Sequence, residues 1–249
     1  MQIASRTGGP VPDVASLLAR LAADGGRPRL TWYGDDGERV ELSGAVLANW
    51  ASKTVNLLVE EFDAAPGTRV VVDLPAHWRT AVWALAAWRT GATVELPEPG
   101  ADAAPDVVVT AEPGRWADGG ADLVVVSLPA LARRYDGDLP AGAVDAAAAV
   151  MTYGDVIGWV PEVDPGQDAL VSAAGAVGHR DLVPAPGDGA RVLVDGRETV
   201  ADVLRELLGI WAGGGSAVLT SAATAAELEQ DEPRRTRLLS SEQAQWRRG

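Results

Sequence analysis

The stretch Asp168-Ala-Leu-Val-Ser-Ala-Ala-Gly-Ala-Val-Gly-His-Arg-Asp-Leu-Val183 has residue types and spacing that approach a recognisable chemistry, the holding of phosphate. A short apolar strand, Ala169 to Val171, runs into Gly175-x-x-Gly178, where a tightly turned backbone could aim its N–H groups at an anion. Phosphate loops normally add hydroxyls and a lysine. Here the neighbours are Ala173, Ala174, Ala176 and Val177, and a charged residue past the second glycine is Asp181. The frame for an anion is kept and its charge is reversed. The candidate ligand-binding residues are therefore Ser172, Gly175, Gly178, His179, Arg180 and Asp181, as a degenerate phosphate loop, with no catalytic residue assigned.

Other constellations are weaker. Ser172, His179 and Asp181 suggest a nucleophile–base–orienter triad, but no Gly-x-Ser-x-Gly elbow surrounds Ser172. His77 and His179 have no close His or Cys partner at ligand spacing, so no metal is expected. Asp35-Asp36, Asp102 and Asp106 lack the spacing of a calcium loop. Lys53, the single lysine, falls mid-helix and reads as a solvated surface residue. Trp50, Trp78, Trp83 and Trp88 fall on two predicted helices and read as packing against a sheet, with an aromatic or acyl ligand lining as the sharper alternative. Arg234, Arg235, Arg237, Arg247 and Arg248 read as a solvated basic tail, with contact to the body or a partner as the alternative.

Composition bounds the function classes. The chain has 249 residues, a net charge of −14, 47% apolar residues and 22% charged ones, which is a globular composition. That charge argues against a nucleic-acid surface and against anionic lipid. With no cysteine there are no disulfides, thiolate metal sites or cysteine nucleophile. Met1 to Pro12 lacks the apolar core of a signal peptide, and apolar runs such as Ala81 to Trp88 are too short to span a bilayer. The expectation is a soluble cytoplasmic protein with an arginine-over-lysine bias typical of GC-rich bacteria.

The elements that would position the loop follow from periodicity and punctuation. Val14 to Ala23 is an amphipathic helix, with Val14, Leu17, Leu18 and Leu21 on one face. Leu30 to Tyr33, the turn Asp35-Asp36-Gly37 and Arg39 to Leu42 form a hairpin. Ser43 caps a helix to about Phe62, and Pro66-Gly67 breaks the chain. Strands are expected at Arg69–Leu74, Thr93–Leu96, Val107–Thr110 and Leu123–Val126. The helix His77–Thr90 is closed by Gly91, and Pro97 to Pro105 is a connection. After a linker at Pro161–Gln167 come the glycine-loop strand, Arg191–Val194, a helix from Glu198 to Trp211, Ser216–Thr220 and a helix near Ala222–Gln230. Asp231 to Gly249 is polar and expected to be mobile.

In this order, several segments resemble the N-terminal part of the adenylate-forming superfamily of acyl-CoA synthetases, peptide-synthetase adenylation domains and luciferases. Leu30-Thr-Trp-Tyr33 with Leu42-Ser-Gly-Ala-Val-Leu-Ala-Asn49 is similar to its opening hairpin and helix. Pro66-Gly-Thr-Arg-Val-Val-Val-Asp-Leu-Pro75 resembles its Pro-Gly-Asp-Arg-Val strand. Ala81 to Val94 resembles its alanine-rich helix, glycine stop and strand, and Leu207 to Leu219 its helix–glycine–strand unit. A closer resemblance is to short actinobacterial proteins that keep only this half of the superfamily's chain. The family's phosphate loop, Thr-Ser-Gly-Thr-Thr-Gly-x-Pro-Lys in outline, lays its glycines on Gly175 and Gly178, its proline on Arg180 and its lysine on Asp181. A unit charge about 4 Å away contributes roughly 4 kcal/mol at an effective dielectric near 20, so lysine-to-aspartate costs a phosphate several kcal/mol.

The resemblance implies an α/β fold with doubly wound, largely parallel sheets. It also implies that the acidic Tyr-Gly-x-Thr-Glu motif, the ribose-binding Asp and the catalytic C-terminal lysine would lie beyond the glycine loop, where no match is found. Thr152-Tyr-Gly-Asp155 and Arg89-Thr-Gly91 are decoys. The expected units are 1–163, a smaller one at 164–231 with the glycine loop, and a polar tail at 232–249. The expected function is that of an inactive, adenylate-forming-enzyme-like protein that binds a ligand or partner. The alternatives are a residual nucleotide- or CoA-binding enzyme completed by another chain, or a structural subunit. No cofactor is expected to bind tightly, ATP, AMP and CoA included. A homodimer or hetero-complex is expected to cover a sheet face that later parts of the relatives would cover.

Overall fold

The computed structural model describes residues 11–23, 25–97 and 104–246. The readings made on the first ten residues, on Asp102 and on Arg247 and Arg248 lie outside these.

The chain opens with α1 (Val14–Ala23), whose Val14, Leu17, Leu18 and Leu21 are buried as the apolar spacing requires. A hairpin follows, β1 (Pro28–Tyr33) and β2 (Arg39–Ser43). The helix α2 (Gly44–Phe62) starts where Ser43 Oγ accepts the N–H of Val46 at 3.3 Å. Next come β3 (Arg69–Asp73), α3 (Trp78–Thr90) and β4 (Thr93–Glu95). At the start of α3, His77 Nδ1 accepts from Arg79 N at 3.1 Å. Gly91 ends the helix at φ +84°, where a Cβ would also meet Pro66.

The middle of the chain supplies β5 (Val107–Thr110), β6 (Asp122–Val125), β7 (Val144–Asp145), the short α4 (Ala146–Ala149), β8 (Asp168–Ser172) and β9 (Gly175–Gly178). The remainder holds β10 (Arg191–Val194), α5 (Val200–Ala212), β11 (Ser216–Thr220), α6 (Ala222–Gln230), α7 (Glu232–Glu242) and β12 (Gln245–Trp246).

These strands form two sheets, a five-stranded one ordered β12-β10-β11-β1-β2 and a seven-stranded one ordered β7-β6-β5-β3-β4-β8-β9. Every neighbouring pair is parallel except β1–β2 and β8–β9. The expected α/β fold with largely parallel sheets is what the chain adopts. The expected units 1–163 and 164–231 each send strands to both sheets, because β1 pairs with β11 and β4 with β8.

One continuous apolar core runs from the inner face of the five-stranded sheet, through α1, α2, α3 and α5, to the inner face of the seven-stranded sheet. Strand alternation decides which side each residue serves. Val70, Val72, Val107 and Val109 face this core, while Val71, Val108, Leu123 and Val125 form a second cluster on the opposite face, covered by Trp116 and Tyr135 from the connections. Trp78, Trp83 and Trp88 on α3 are buried and Trp50 packs beside them, in keeping with their reading as core.

Two expectations are corrected here. Lys53 is tied down rather than solvated: Nζ donates to the Tyr153 carbonyl at 2.6 Å and pairs with Asp155 at 2.7 Å. Neighbouring Asn56 binds the same segment through the carbonyls of Gly154 and Val156 and the N–H of Gly158. The segment after Asp231 is also ordered, as α7 and β12. No side chain of α7 is buried enough to count as core, so a tally of apolar residues misses it.

Polar contacts hold it instead. Glu242 accepts from Tyr33 Oη, from Arg39 Nε at 3.0 Å and from Arg191 Nη2, while Arg235 stacks 4.2 Å from the Trp246 ring. The outward-facing Thr31, Leu193, Ser216 and Val218 of the five-stranded sheet are buried. These four residues of the outward face are thus covered by the chain itself.

This network makes α7 acid-sensitive. Burial raises the Glu242 pKa, but hydrogen bonds from Tyr33, Arg39 and Arg191 outweigh it and bring it down to about 2. A carboxylate depressed in the folded state stabilises fully above its unfolded pKa, near 4.5, and the contribution is lost as pH falls toward 2. Hydrogen exchange of α7 and β12 is expected to accelerate over that window. Glu242→Gln should bring the same loosening at neutral pH, costing on the order of 2–3 kcal/mol. Unchanged protection in the variant would refute the role given to Glu242.

Candidate functional site

The order β5-β3-β4 places a topological switch at β3, since the chain leaves β3 to one side for β4 and then crosses to the other for β5. Crevices beyond the carboxyl ends of strands at such a point are where open α/β sheets take ligands. A cavity of about 410 Å³ lies there. Its floor is Val72, Asp73 and Leu74 at the end of β3, with Leu96 and Pro97 after β4. One wall is Ser172, Ala173 and Ala174, and the other is the first turn of α5 with Thr199, Val200, Ala201 and Asp202.

The glycine segment is the tip and second strand of a hairpin. Ser172 pairs with Gly175, Val171 with Ala176 and Leu170 with Val177, leaving Ala173 and Ala174 as the turn. Gly175 takes φ +110°, which a side chain would strain, so that glycine is required by the turn. Gly178 has no such φ. Ladder pairing engages the backbone of β9, so the Gly175-x-x-Gly178 segment is a strand rather than an open cradle of N–H groups.

The six candidate residues are therefore divided. Ser172 borders the 410 Å³ cavity. His179 and Arg180 border a different, wider one of about 870 Å³, shared with Arg89, Trp88, the start of α1 and the 160–165 segment. The hairpin separates Ser172 at its tip from His179 at its base by roughly 13 Å of strand, so no triad forms. His179 is buried with Nε2 3.1 Å from the Gly91 carbonyl, and burial lowers its pKa. It fastens the hairpin base to the end of α3. Asp181 is exposed, in the 3-10 turn that follows β9.

The polar groups around the first cavity are largely spent. Asp73 accepts from Arg115 Nη1 at 3.1 Å, Trp116 Nε1 at 2.7 Å and Thr110 Oγ1 at 3.3 Å. At the amino end of α5, Thr199 Oγ1 accepts from Asp202 N at 3.2 Å and donates to Asp202 Oδ2 at 2.6 Å. The positive helix end already carries its own carboxylate. Among the described residues, the cavity lining includes two aspartates and no lysine or arginine. Sequence reasoning did not name this wall, although Thr199-x-x-Asp202 is a legible capping signal.

The wider cavity carries charges of both signs. Arg89 and Arg180 line it with Asp13 and Glu162, and the guanidinium of neither arginine has a hydrogen-bonding or ion-pairing partner among the described residues. Burial lowers the pKa of Arg89, against the pull of Asp13. Among the described residues no three His, Asp or Glu side chains converge as a metal site, and no helix is long and apolar enough to cross a membrane.

Comparison with known proteins bears on the fold and the family. No family model matches the chain. It is 38% identical over 239 residues to the "TIGR03089 family protein" of Mycobacterium tuberculosis (strain ATCC 25618 / H37Rv), covering 87% of this chain and 92% of that one. Among solved structures it resembles a Brucella canis acyl-CoA synthetase, with TM-score 0.66, 18% identity, and coverage of 90% of this chain and 47% of the other. A Rhodopseudomonas palustris CGA009 chain named after long-chain-fatty-acid CoA ligases gives TM-score 0.64 and 17% identity, over 88% of this chain and 61% of that one. The chain thus has an acyl-CoA-synthetase-like fold and spans about half to three-fifths of the length of these structures.

Proposed function

The chain belongs to the TIGR03089 family, and from that we propose that it is a ligand-binding protein on an acyl-CoA-synthetase-like fold that does not itself form acyl-adenylates. The observation that carries this is the cleft between the hairpin tip and α5. Its size suits a small molecule, its walls are mainly Val, Leu, Pro and Ala, and its carboxylates already have partners. A triphosphate placed there would meet Asp73 and Asp202, with Arg115 already paired to Asp73 and no lysine or arginine in the lining among the described residues. The ligand class this supports is neutral and largely apolar.

Two measurements test it. Purified protein with ATP, magnesium and a panel of carboxylic acids is expected to give no ATP–pyrophosphate exchange above background, and exchange with any acid would overturn the proposal. In a thermal-shift panel, neutral fatty amides and esters should raise the Tm where ATP and AMP do not. A ligand at a hundredfold excess over its Kd stabilises by about 2.7 kcal/mol, which such a panel resolves. Ala174→Trp, which fills the cleft from the hairpin tip, should abolish the response.

Arg89 and Arg180, whose guanidinium groups have no hydrogen-bond or ion-pair partner among the described residues, favour a second reading, in which the wider cavity takes an acidic ligand such as a nucleotide or CoA. In that case the ATP or CoA shift would disappear in Arg89→Ala and Arg180→Ala and survive in Ala174→Trp.

A further inference from the structure

We propose that the small cavity beside the first turn of α3, lined by Trp78 and Arg79, is a binding site for one halide ion, chloride in ordinary buffers. This site is separate from both cavities discussed above. Arg79 is 7% exposed, yet its guanidinium makes no ion pair among the described residues. Nη2 reaches only the carbonyls of Pro129 and Ala130, at 3.3 and 3.4 Å, and Nε has no partner among the described residues. Trp78 is 2% exposed, and its indole Nε1 is likewise without a partner. The two residues are adjacent, and the guanidinium lies 4.2 Å from the Trp78 ring.

Buried donors left unpaired are costly, and a buried cation without a counter-charge more so. Position adds to the cost. Arg79 sits in the first turn of a 13-residue helix, where the helix dipole is positive and favours an anion over a cation. The nearest acidic influence, Glu38, is spent elsewhere, accepting from Ala130 N at 2.8 Å and Trp32 Nε1 at 2.9 Å. His77 is buried and held near pKa 3 by desolvation and by Arg79, so it contributes no further positive charge at neutral pH.

Size and lining select the occupant. The cavity is about 10 Å³, near the lower limit for a single water, so a halide must push its lining slightly apart, and sulfate or a carboxylate is too large. Thr54 and Ser127 also line it, but their hydroxyls donate to the carbonyls of Trp50 and Arg134. The donors left over are Arg79 Nε and Trp78 Nε1. Val82, Val126 and Val150 supply the rest of a wall that a weakly hydrated halide tolerates. A water could accept from the two N–H groups, but it would add no negative charge beside the guanidinium to that of Glu38.

The test compares melting of the full chain in sodium chloride and sodium gluconate at equal ionic strength and pH. Chloride is expected to raise the Tm saturably, by roughly 5–10 °C at a hundredfold excess over its Kd. Arg79→Met, of similar bulk, should erase the difference between the two salts. Crystals of the unaltered protein soaked in bromide should show an anomalous peak within hydrogen-bonding distance of Arg79 Nε and Trp78 Nε1. Equal Tm values in the two salts would overturn the proposal. So would the same salt difference in Arg79→Met, or a cavity holding only water after the bromide soak. If Arg79→Met does not fold, the bromide map of the unaltered protein decides.

Discussion

Replacing Trp88 with alanine is expected to destabilise the protein by about 3–5 kcal/mol, as large aromatic truncations in a packed core do. Trp88 is 1% exposed, and its indole Nε1 donates to the Ala169 carbonyl at 2.7 Å, joining the last turn of α3 to the strand that carries the hairpin. Removing the ring opens a void where α3 meets β8 and leaves that carbonyl without its donor. Trp88→Phe keeps one aromatic ring but loses the hydrogen bond and the volume of the five-membered ring, so about 2 kcal/mol is expected. Urea melts of the three proteins measure both values. A loss below 1 kcal/mol for the alanine variant would show that α3 is not anchored this way.

Gly196→Ala should be comparably severe for a different reason. A Cβ at this position would stand 1.9 Å from the Thr220 carbonyl oxygen and 3.0 Å from the backbone carbons beyond it. The obstacle is main chain, so no side-chain rotation relieves it. The chain leaving β10 and the chain leaving β11 must move apart, next to the place where Ser221 caps α6. Overpacking of a tight site costs about 1–3 kcal/mol and occasionally more, and a backbone clash this close belongs at or above the upper end. Gly120→Ala, with nothing within 4 Å of the added carbon, is the control and should be near neutral. Equal melting of the two variants would contradict the packing described.

Local signals were read well from sequence. Val14–Ala23 and Ala222–Gln230 fold over the expected residues, and Ser43 and Gly91 start and stop helices as their types dictate. What escaped was non-local or polar. Gly175–Gly178 was read as a loop because glycine and alanine carry little strand preference, and its partner strand decides its state. The helix α7 was hidden because ion pairs hold it in place of apolar burial. For the candidate site, the glycine segment contributes Ser172 to Ala174 as one wall of the cleft. The residues that give the cleft its character, Asp73, Leu96 and Thr199 to Asp202, come from three other segments that only the fold gathers.

The interleaving of the two sheets sets the order in which the molecule can be assembled. All strands of the seven-stranded sheet lie between Arg69 and Gly178, so that sheet can form while the chain is still emerging from a ribosome. The first hairpin emerges earlier but cannot complete its own sheet, because Leu30 pairs with Ala217 and Trp32 with Leu219. Its apolar residues must wait for almost the whole chain to be synthesised. Closing so long a loop is entropically costly and slow. The five-stranded sheet is accordingly the last part to be born, and during that delay the nascent protein is most exposed to aggregation and most in need of a chaperone.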